Sequence, residues 1–512
     1  MLRRLLIILC LGLSSMMCLA VDLRVALDAD PISLDPHEQL SEGGIQYSHA
    51  VFDPLVRWRQ DGTFEPRLAT SWEVKDERTL RLHLRQNVRF HSGNPLTAED
   101  VLFTIERLKS SIDFKALFNV VQNVDKIDDY TVDIHTNHAY PLLLNILAYV
   151  FVVDKTFYEG RSEIVKFGQT FASTNVSGSG PFTVHDRVVG QRLTLVRNPD
   201  YWDIQSVGNV EQLELLPIRS DSTRLAALLT GDVDVISPVA PIDIARVQRT
   251  PNVKLLALTG TRIVMLQMNQ ARRVEFQDIR VRRAMNLAVN QALIVEKILR
   301  GYGEPAGQLS SSAFWGHVSD LVPQSDLEQA RELMKEAGYQ DGFRVTMMAP
   351  NNRYMSDERV ALAASAMLAK INIQVDLKTF PKAQYFQFFD QQAADIMMLG
   401  WQSDTFDSNN IYEFVLACRD ADTGMGAYNA GRVCDRKLDD AIMLANQEMD
   451  VAQRVALLRG IEMRAVDQAW VIPLYWQPII WASKQHVDLE SVVNFLNFPY
   501  WGDLHVSVPS GR

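Results

Sequence analysis

Apolar residues recur at every second position in some stretches of the chain and at helical spacing in others. Leu80, Leu82 and Leu84 alternate with Arg81, His83 and Arg85, which predicts a half-buried strand, and Val88 and Phe90 continue the alternation. Ser92-Gly93-Asn94 is a turn cluster. Thr97, with Asp100 three residues on, is set to cap a helix whose apolar face is Val101, Leu102, Ile105 and Leu108. Leu23 to Leu27 begins with the same alternation. Gly178-Ser179-Gly180-Pro181-Phe182 reads as a tight glycine turn entering a strand. Later, Phe343 to Met348 predicts a strand, Ser356 the cap of a helix running to Lys370, and Ile371, Ile373, Val375 and Leu377 a second strand. Such a βαβ unit implies a parallel pair with a right-handed crossover. Residues 394–400 (ADIMMLG) form a continuous apolar run, as expected of a strand buried on both faces. The fold class is therefore α/β.

In open α/β sheets ligands sit beyond the carboxyl ends of the strands. Two loops meet that condition, residues 401–410 and residues 350–354. Acids leave one strand end, and the base Arg353 leaves another beside a helix start able to hold an anion. That layout suits a zwitterion, because a buried charge left unpaired costs several kcal/mol.

The order of residues is more particular than their periodicity. Leu68-Ala69-x-Ser71-Trp72-Glu73 is followed, over residues 82–103, by L-x-LR-x-x-V-x-FH-x-G-x-P-x-TAEDV-x-F. Ser33-Leu34-Asp35-Pro36 and Val51-Phe52-Asp53-Pro54-Leu55-Val56 precede it. Gly178 to Phe182, Arg197-Asn198-Pro199-Asp200-Tyr201-Trp202, residues 224–236 (RLAALLTGDVDVI), Met268-Asn269, residues 276–285 and Ile472-Pro473-Leu474-Tyr475 follow. This series resembles the family 5 extracytoplasmic solute-binding proteins, the oligopeptide- and dipeptide-binding receptors of ABC importers and their relatives. The resemblance implies a periplasmic-binding-protein type II-like fold: two hinged lobes with mixed sheets plus an inserted α+β subdomain. Lobe one would hold 21–56, 166–262 and 485–512, the inserted subdomain 57–165, and lobe two 263–484.

Peptide-binding relatives have a G-W-x-x-D segment whose Asp holds the ligand's α-amino group, and Gly400-Trp401-Gln402-Ser403-Asp404 is similar to it. The resemblance implies Asp404 as ammonium partner; an Asx turn is the alternative. Trp401 would be an apolar wall of the site or a core residue. Asp407 would be a second polar contact or a solvated loop acid. Arg353 would clamp a carboxylate or form a structural ion pair. Gly43 and Gly44 would bring backbone near the ligand or serve as plain turn glycines. The implied partners are a peptide or small-molecule ligand and an inner-membrane ABC permease, with the protein itself a monomer. Residues after Asp404 depart from the peptide receptors, which leaves nickel chelates, opines, sugars and haem as alternative ligands.

Composition narrows the rest. Residues 1–20 read as a secretory signal, with Arg3 and Arg4, the apolar run 5–13 and a small-residue exit at Ala20. The implied location is the periplasm. Net charge is -11, or about -13 once Arg3 and Arg4 are removed, which disfavours nucleic acid. Cys10 and Cys18 fall in the signal. Cys418 and Cys434 remain, and an even number in an oxidising compartment favours a disulfide over buried thiols or a metal site. The chain has no H-E-x-x-H motif and no G-x-S-x-G elbow, and Gly301-Tyr302-Gly303 does not extend into a dinucleotide fingerprint. A binding protein without cofactor or metal is expected, rather than a secreted hydrolase.

Overall fold

Two long strands, Val253–Met268 and Val471–Lys484, run antiparallel through the middle of the molecule and carry everything else. A computed structural model describes residues 21–206, 208–421 and 423–507; the expected signal, residues 1–20, lies outside them. Around the long pair an 11-stranded mixed sheet is built. On one side lie Ile396–Trp401, Phe343–Pro350 and Ile373–Phe380, outward in that order. On the other lie Val235–Ser237, Val21–Leu27, Val210–Pro217, Arg192–Arg197 and Phe182–Val188. Pairing of the long strands breaks between Thr259 and Ile263. Before the break residues 253–259 face 478–484; after it residues 263–267 face 471–476. Residues 478–484, counted with the second lobe from sequence, therefore lie by their pairing in the first half of the sheet, where Ile236 also faces Ala482.

The expected βαβ unit is present. Phe343–Pro350 pairs in parallel with Ile373–Phe380 through the helix Asp357–Leu368. The apolar run forms Ile396–Trp401, and its residues divide between two cores. Ile396 and Met398 pack with Val264, Leu266 and Met347, while Met397 and Leu399 pack with Ile263, Met265 and Tyr385. A strand sandwiched between two cores has no polar face to show, which is why it reads as a run rather than an alternation. Ser356 occupies the cap position but sits at φ +57 and makes no capping bond. The neighbouring Asp357 accepts the N–H groups of Arg353 (2.9 Å) and Tyr354 (3.0 Å), in the loop before the helix, and of Glu358 (2.9 Å) in its first turn.

The four-stranded antiparallel sheet of the insert orders Ala69–Asp76, Thr79–Leu84, Thr131–Thr136 and Val121–Asp128. Helix Ala98–Ser110 covers it, with the Thr97–Asp100 capping box formed (Thr97 N–H to Asp100 carboxylate, 2.8 Å). Val88 and Phe90 are buried as expected, but outside a strand, in a turn closed by an Arg89–Pro95 bridge. The insert's apolar side chains belong to one cluster with those of the first lobe.

The most recognisable motifs converge on one buried carboxylate. Asp53 accepts the Tyr201 hydroxyl (3.0 Å), the Trp202 indole N–H (2.8 Å), Ser179 Oγ (3.2 Å) and an Arg67 guanidinium N–H (3.3 Å). The glycine turn explains itself here: a Cβ on Gly178 would lie 2.0 Å from the Val51 carbonyl oxygen, and one on Gly180 2.5 Å from the Val51 carbonyl carbon. Cys418 and Cys434 are joined in a disulfide, 16 residues apart in sequence.

Asp53→Ala leaves Arg67, 3 % exposed, short of a buried counter-charge, and is expected to cost about 3 kcal/mol in a urea titration followed by circular dichroism. Replacing both Cys418 and Cys434 by Ser should lower unfolding free energy by about 3 kcal/mol, the loop-closure value for a link of this span, in the same assay.

Candidate functional site

The strand Ile396–Trp401 ends at the middle of the molecule, and the loop after it is pinned at alternate residues. Ser403, Thr405 and Asp407 are buried. Ser403 Oγ donates to the Asp407 carbonyl (2.7 Å) and accepts its N–H (3.1 Å). The Thr405 carbonyl accepts from Asn145 Nδ2 (2.7 Å), a residue of the opposite lobe. The residues between them, Gln402, Asp404 and Phe406, are half-buried and point elsewhere. Gln402 Oε1 accepts from Arg262 (2.8 Å), and Phe406 stacks on Phe495. Asp404, between the two, makes no hydrogen bond or ion pair among the described residues. Burial pushes its carboxyl up to about 7, Arg262 pulling it down and Asp113 adding to the rise. Tyr149 and Tyr428 lie within electrostatic reach of it.

Arg262 stands in the break of the long strand. It is buried, bridges Gln402 on one lobe to Glu42 on the other (3.3 Å), and is held below its usual range by burial and by Arg353. Glu42 opens the helix Glu42–Val51 and also accepts from Asn497 Nδ2 (2.6 Å). Asp28, past the end of Val21–Leu27, is raised by burial despite Arg224. Lys382 lies within electrostatic reach of Arg353, Arg262, Asp28 and Glu42. Three acids (Asp28, Glu42, Asp404) and three bases (Arg262, Arg353, Lys382) thus gather where the lobes meet, and of these only Glu42 and Arg262 form an ion pair.

Set beside the expected residues, the geometry is selective. Trp401 has its indole N–H on Asn410 Oδ1 (2.9 Å) and its ring against Phe414 and Tyr428, so packing fixes it on the Asp404 side of the loop. Arg353 forms no ion pair among the described residues, and its guanidinium lies 5.3 Å over the Tyr354 ring. At the helix start beside it the Asp357 carboxylate takes the loop N–H groups of Arg353 and Tyr354 and the first-turn N–H of Glu358. Asp407 is neither a solvated loop acid nor a free polar contact. It is 3 % exposed, caps the helix Ser408–Ile411 and holds Arg454 with both oxygens (2.6 and 3.0 Å). Gly43 and Gly44 are not turn glycines: they form the first turn of Glu42–Val51, with open space where a Gly43 Cβ would stand.

Sequence reasoning gave no role to Arg262 or Glu42, nor an individual one to Gln402 and Phe406 within the loop 401–410. One signal was present. Gly260 stands between the apolar runs 255–258 and 263–266, and a glycine inside a strand pattern marks a bulge or a close backbone approach.

Comparison with known proteins agrees with this architecture. The chain is 27 % identical over 483 residues to the dipeptide-binding protein of Escherichia coli (strain K12), covering 86 % of each chain. It is 28 % identical over 458 residues to heme-binding protein A of Haemophilus influenzae, covering 83 % of this chain and 82 % of that one. Among solved structures, the ABC transporter-associated periplasmic binding protein DppA of Helicobacter pylori, in complex with the peptide STSA, superposes with a TM-score of 0.82 at 22 % identity, over 96 % of this chain and 98 % of the other. This two-lobed α/β architecture is that of the periplasmic binding proteins. The model for bacterial extracellular solute-binding proteins, family 5, matches residues 63–423, and the chain belongs to that family.

Proposed function

We propose that this protein is a periplasmic receptor that captures peptides or similar zwitterionic solutes between its lobes and hands them to an inner-membrane ABC permease. The observation that carries the reading is Asp404: its neighbours on both sides are tied down, while its own half-buried carboxylate has no hydrogen-bond or ion-pair partner among the described residues where the lobes meet. A ligand ammonium completes that site. Arg353 and Lys382 supply positive charge for a carboxylate. A ligand that interacts with both lobes favours the state in which they meet, and closure follows from that difference in affinity. The likeness to a heme-binding protein at nearly the same identity supports a second reading, a non-peptide solute such as haem in the same cleft, and competition between haem and a dipeptide separates the two.

Asp404→Ala is expected to weaken a dipeptide by about 3 kcal/mol, or more than a hundredfold in Kd, with circular dichroism unchanged. Calorimetry with the free dipeptide and its N-acetyl derivative tests this; equal affinity of wild type for the two would refute the assignment. The pH dependence has a definite sign. With its carboxyl raised to about 7, unliganded Asp404 holds a proton below that pH and must lose it to pair with an ammonium. Affinity should therefore fall about tenfold for each pH unit below 7 and fall again as the peptide amine deprotonates near pH 8. Calorimetry at pH 6 in two buffers of different ionisation enthalpy should record release of close to one proton, and the Asp404→Ala variant should release none from this group.

A further inference from the structure

One aromatic ring crosses from lobe to lobe two residues beyond Asp404. Phe406 stacks on Phe495 with ring centres 4.1 Å apart and planes at 30°, and lies 5.1 Å from Trp58. Both partners belong to the opposite side of the cleft. Trp58 is itself backed by Phe64 at 4.1 Å, and the hairpin turn at Gly62 closes the cage, since a Cβ there would come within 3.2 Å of the Phe406 ring. From its own lobe Phe406 receives one edge-on contact, Phe314 at 5.1 Å. Its backbone is at φ +52, in the left-handed region that side chains with a Cβ seldom occupy. That conformation turns the ring out of the second lobe, while Ser403 and Asp407 on either side are held in. Next to the ring, Asn145 bonds the Thr405 carbonyl and Gln402 bonds the Leu496 carbonyl (3.3 Å), both across the same cleft.

We propose that Phe406 is a closure latch, a positioning residue whose ring docks between Trp58 and Phe495 when the lobes meet and so sets how long a ligand stays on Asp404. The proposal rests on the reading of the Asp404 cleft as the binding site. Its physical content is a difference between states. With the lobes apart, the faces of Phe406, Phe495 and Trp58 that now touch one another are returned to water, so the ring stabilises only the engaged state. Because latch and ammonium partner share one short, pinned loop, seating the ring also fixes the carboxylate relative to the first lobe. The left-handed backbone fits this role: the strain is offset only while the ring is docked.

The test uses the mature chain, labelled for fluorescence energy transfer with one dye on each lobe, and Ala-Phe as the probe dipeptide. Phe406→Gly removes the ring at a position whose backbone glycine adopts freely, so loss of fold is avoided. Phe495→Ala removes its partner in the opposite lobe. Either change should shift the ligand-free inter-lobe distance distribution toward separation and speed Ala-Phe dissociation in stopped flow by about tenfold, the worth of one aromatic pair, with association little altered. The two together should cost no more than one alone. Phe406→Tyr should restore both readouts, and discrimination against N-acetyl-Ala-Phe should persist throughout. Unchanged distance distributions and dissociation in both variants overturn the latch. So does a change that follows a fall in Tm and is not restored by Phe406→Tyr. If Ala-Phe binds neither wild type nor variant, the Asp404 reading fails, and the ligand-free distance distributions still decide the latch.

Discussion

Gly260 passes so close to its partner strand that a Cβ would lie 2.5 Å from the Gln477 carbonyl oxygen, and the two long strands pass from one lobe to the other at that crossing. Regular pairing stops there and resumes at Ile263, so the strands stay joined while their ladder is interrupted. An interrupted ladder can change its angle without losing the bonds on either side. The bulged residues also carry the chemistry. Arg262 emerges at the break and reaches a carboxylate of one lobe and an amide of the other. One charge of the cleft is thus built into the crossing itself, and it is a charge that acts on Asp404.

Different parts of the molecule were legible to different degrees, for physical reasons. Elements with a periodic buried face, such as Thr79–Leu84 and Ala98–Ser110, could be read from local pattern alone. So could the strand lying between two cores, because burial on both sides leaves only apolar residues. What could not be read was which polar groups a folded chain would already have used. Asp357 takes N–H groups of the loop that leads into its own helix, and Asp407 takes Arg454, 47 residues away. Arg262 and Phe406 likewise owe their positions to partners more than eighty residues distant, and no local spacing encodes that.

Many of the residues easiest to recognise have a structural part to play. Those around Asp53 make a knot beneath the first lobe: a carboxylate, an arginine, a tyrosine, a tryptophan and a serine, together with glycines that admit no side chain. A buried charge network of this kind tolerates little change, because removing any one member strands the others. The cleft loop is held differently, by side-chain-to-backbone bonds at alternate positions, and the Asp404 carboxylate between them makes no hydrogen bond among the described residues. A scaffold can then stay fixed while the lining of the cleft is altered, which suits one architecture serving unlike solutes.

The path of the chain through the sheet bears on how the protein comes to be folded at all. The first lobe is assembled from Val21–Leu27, from strands between 182 and 237, and from the far half of Val471–Lys484, and Asn497 is bonded to Glu42 across 455 positions. The strands of the second lobe lie within a single stretch, residues 263–476. As the chain emerges from a ribosome or a translocation channel, the later-starting lobe has all its strands to hand first. The lobe that contains the beginning must wait for the end, with its apolar strands exposed meanwhile and open to mispairing.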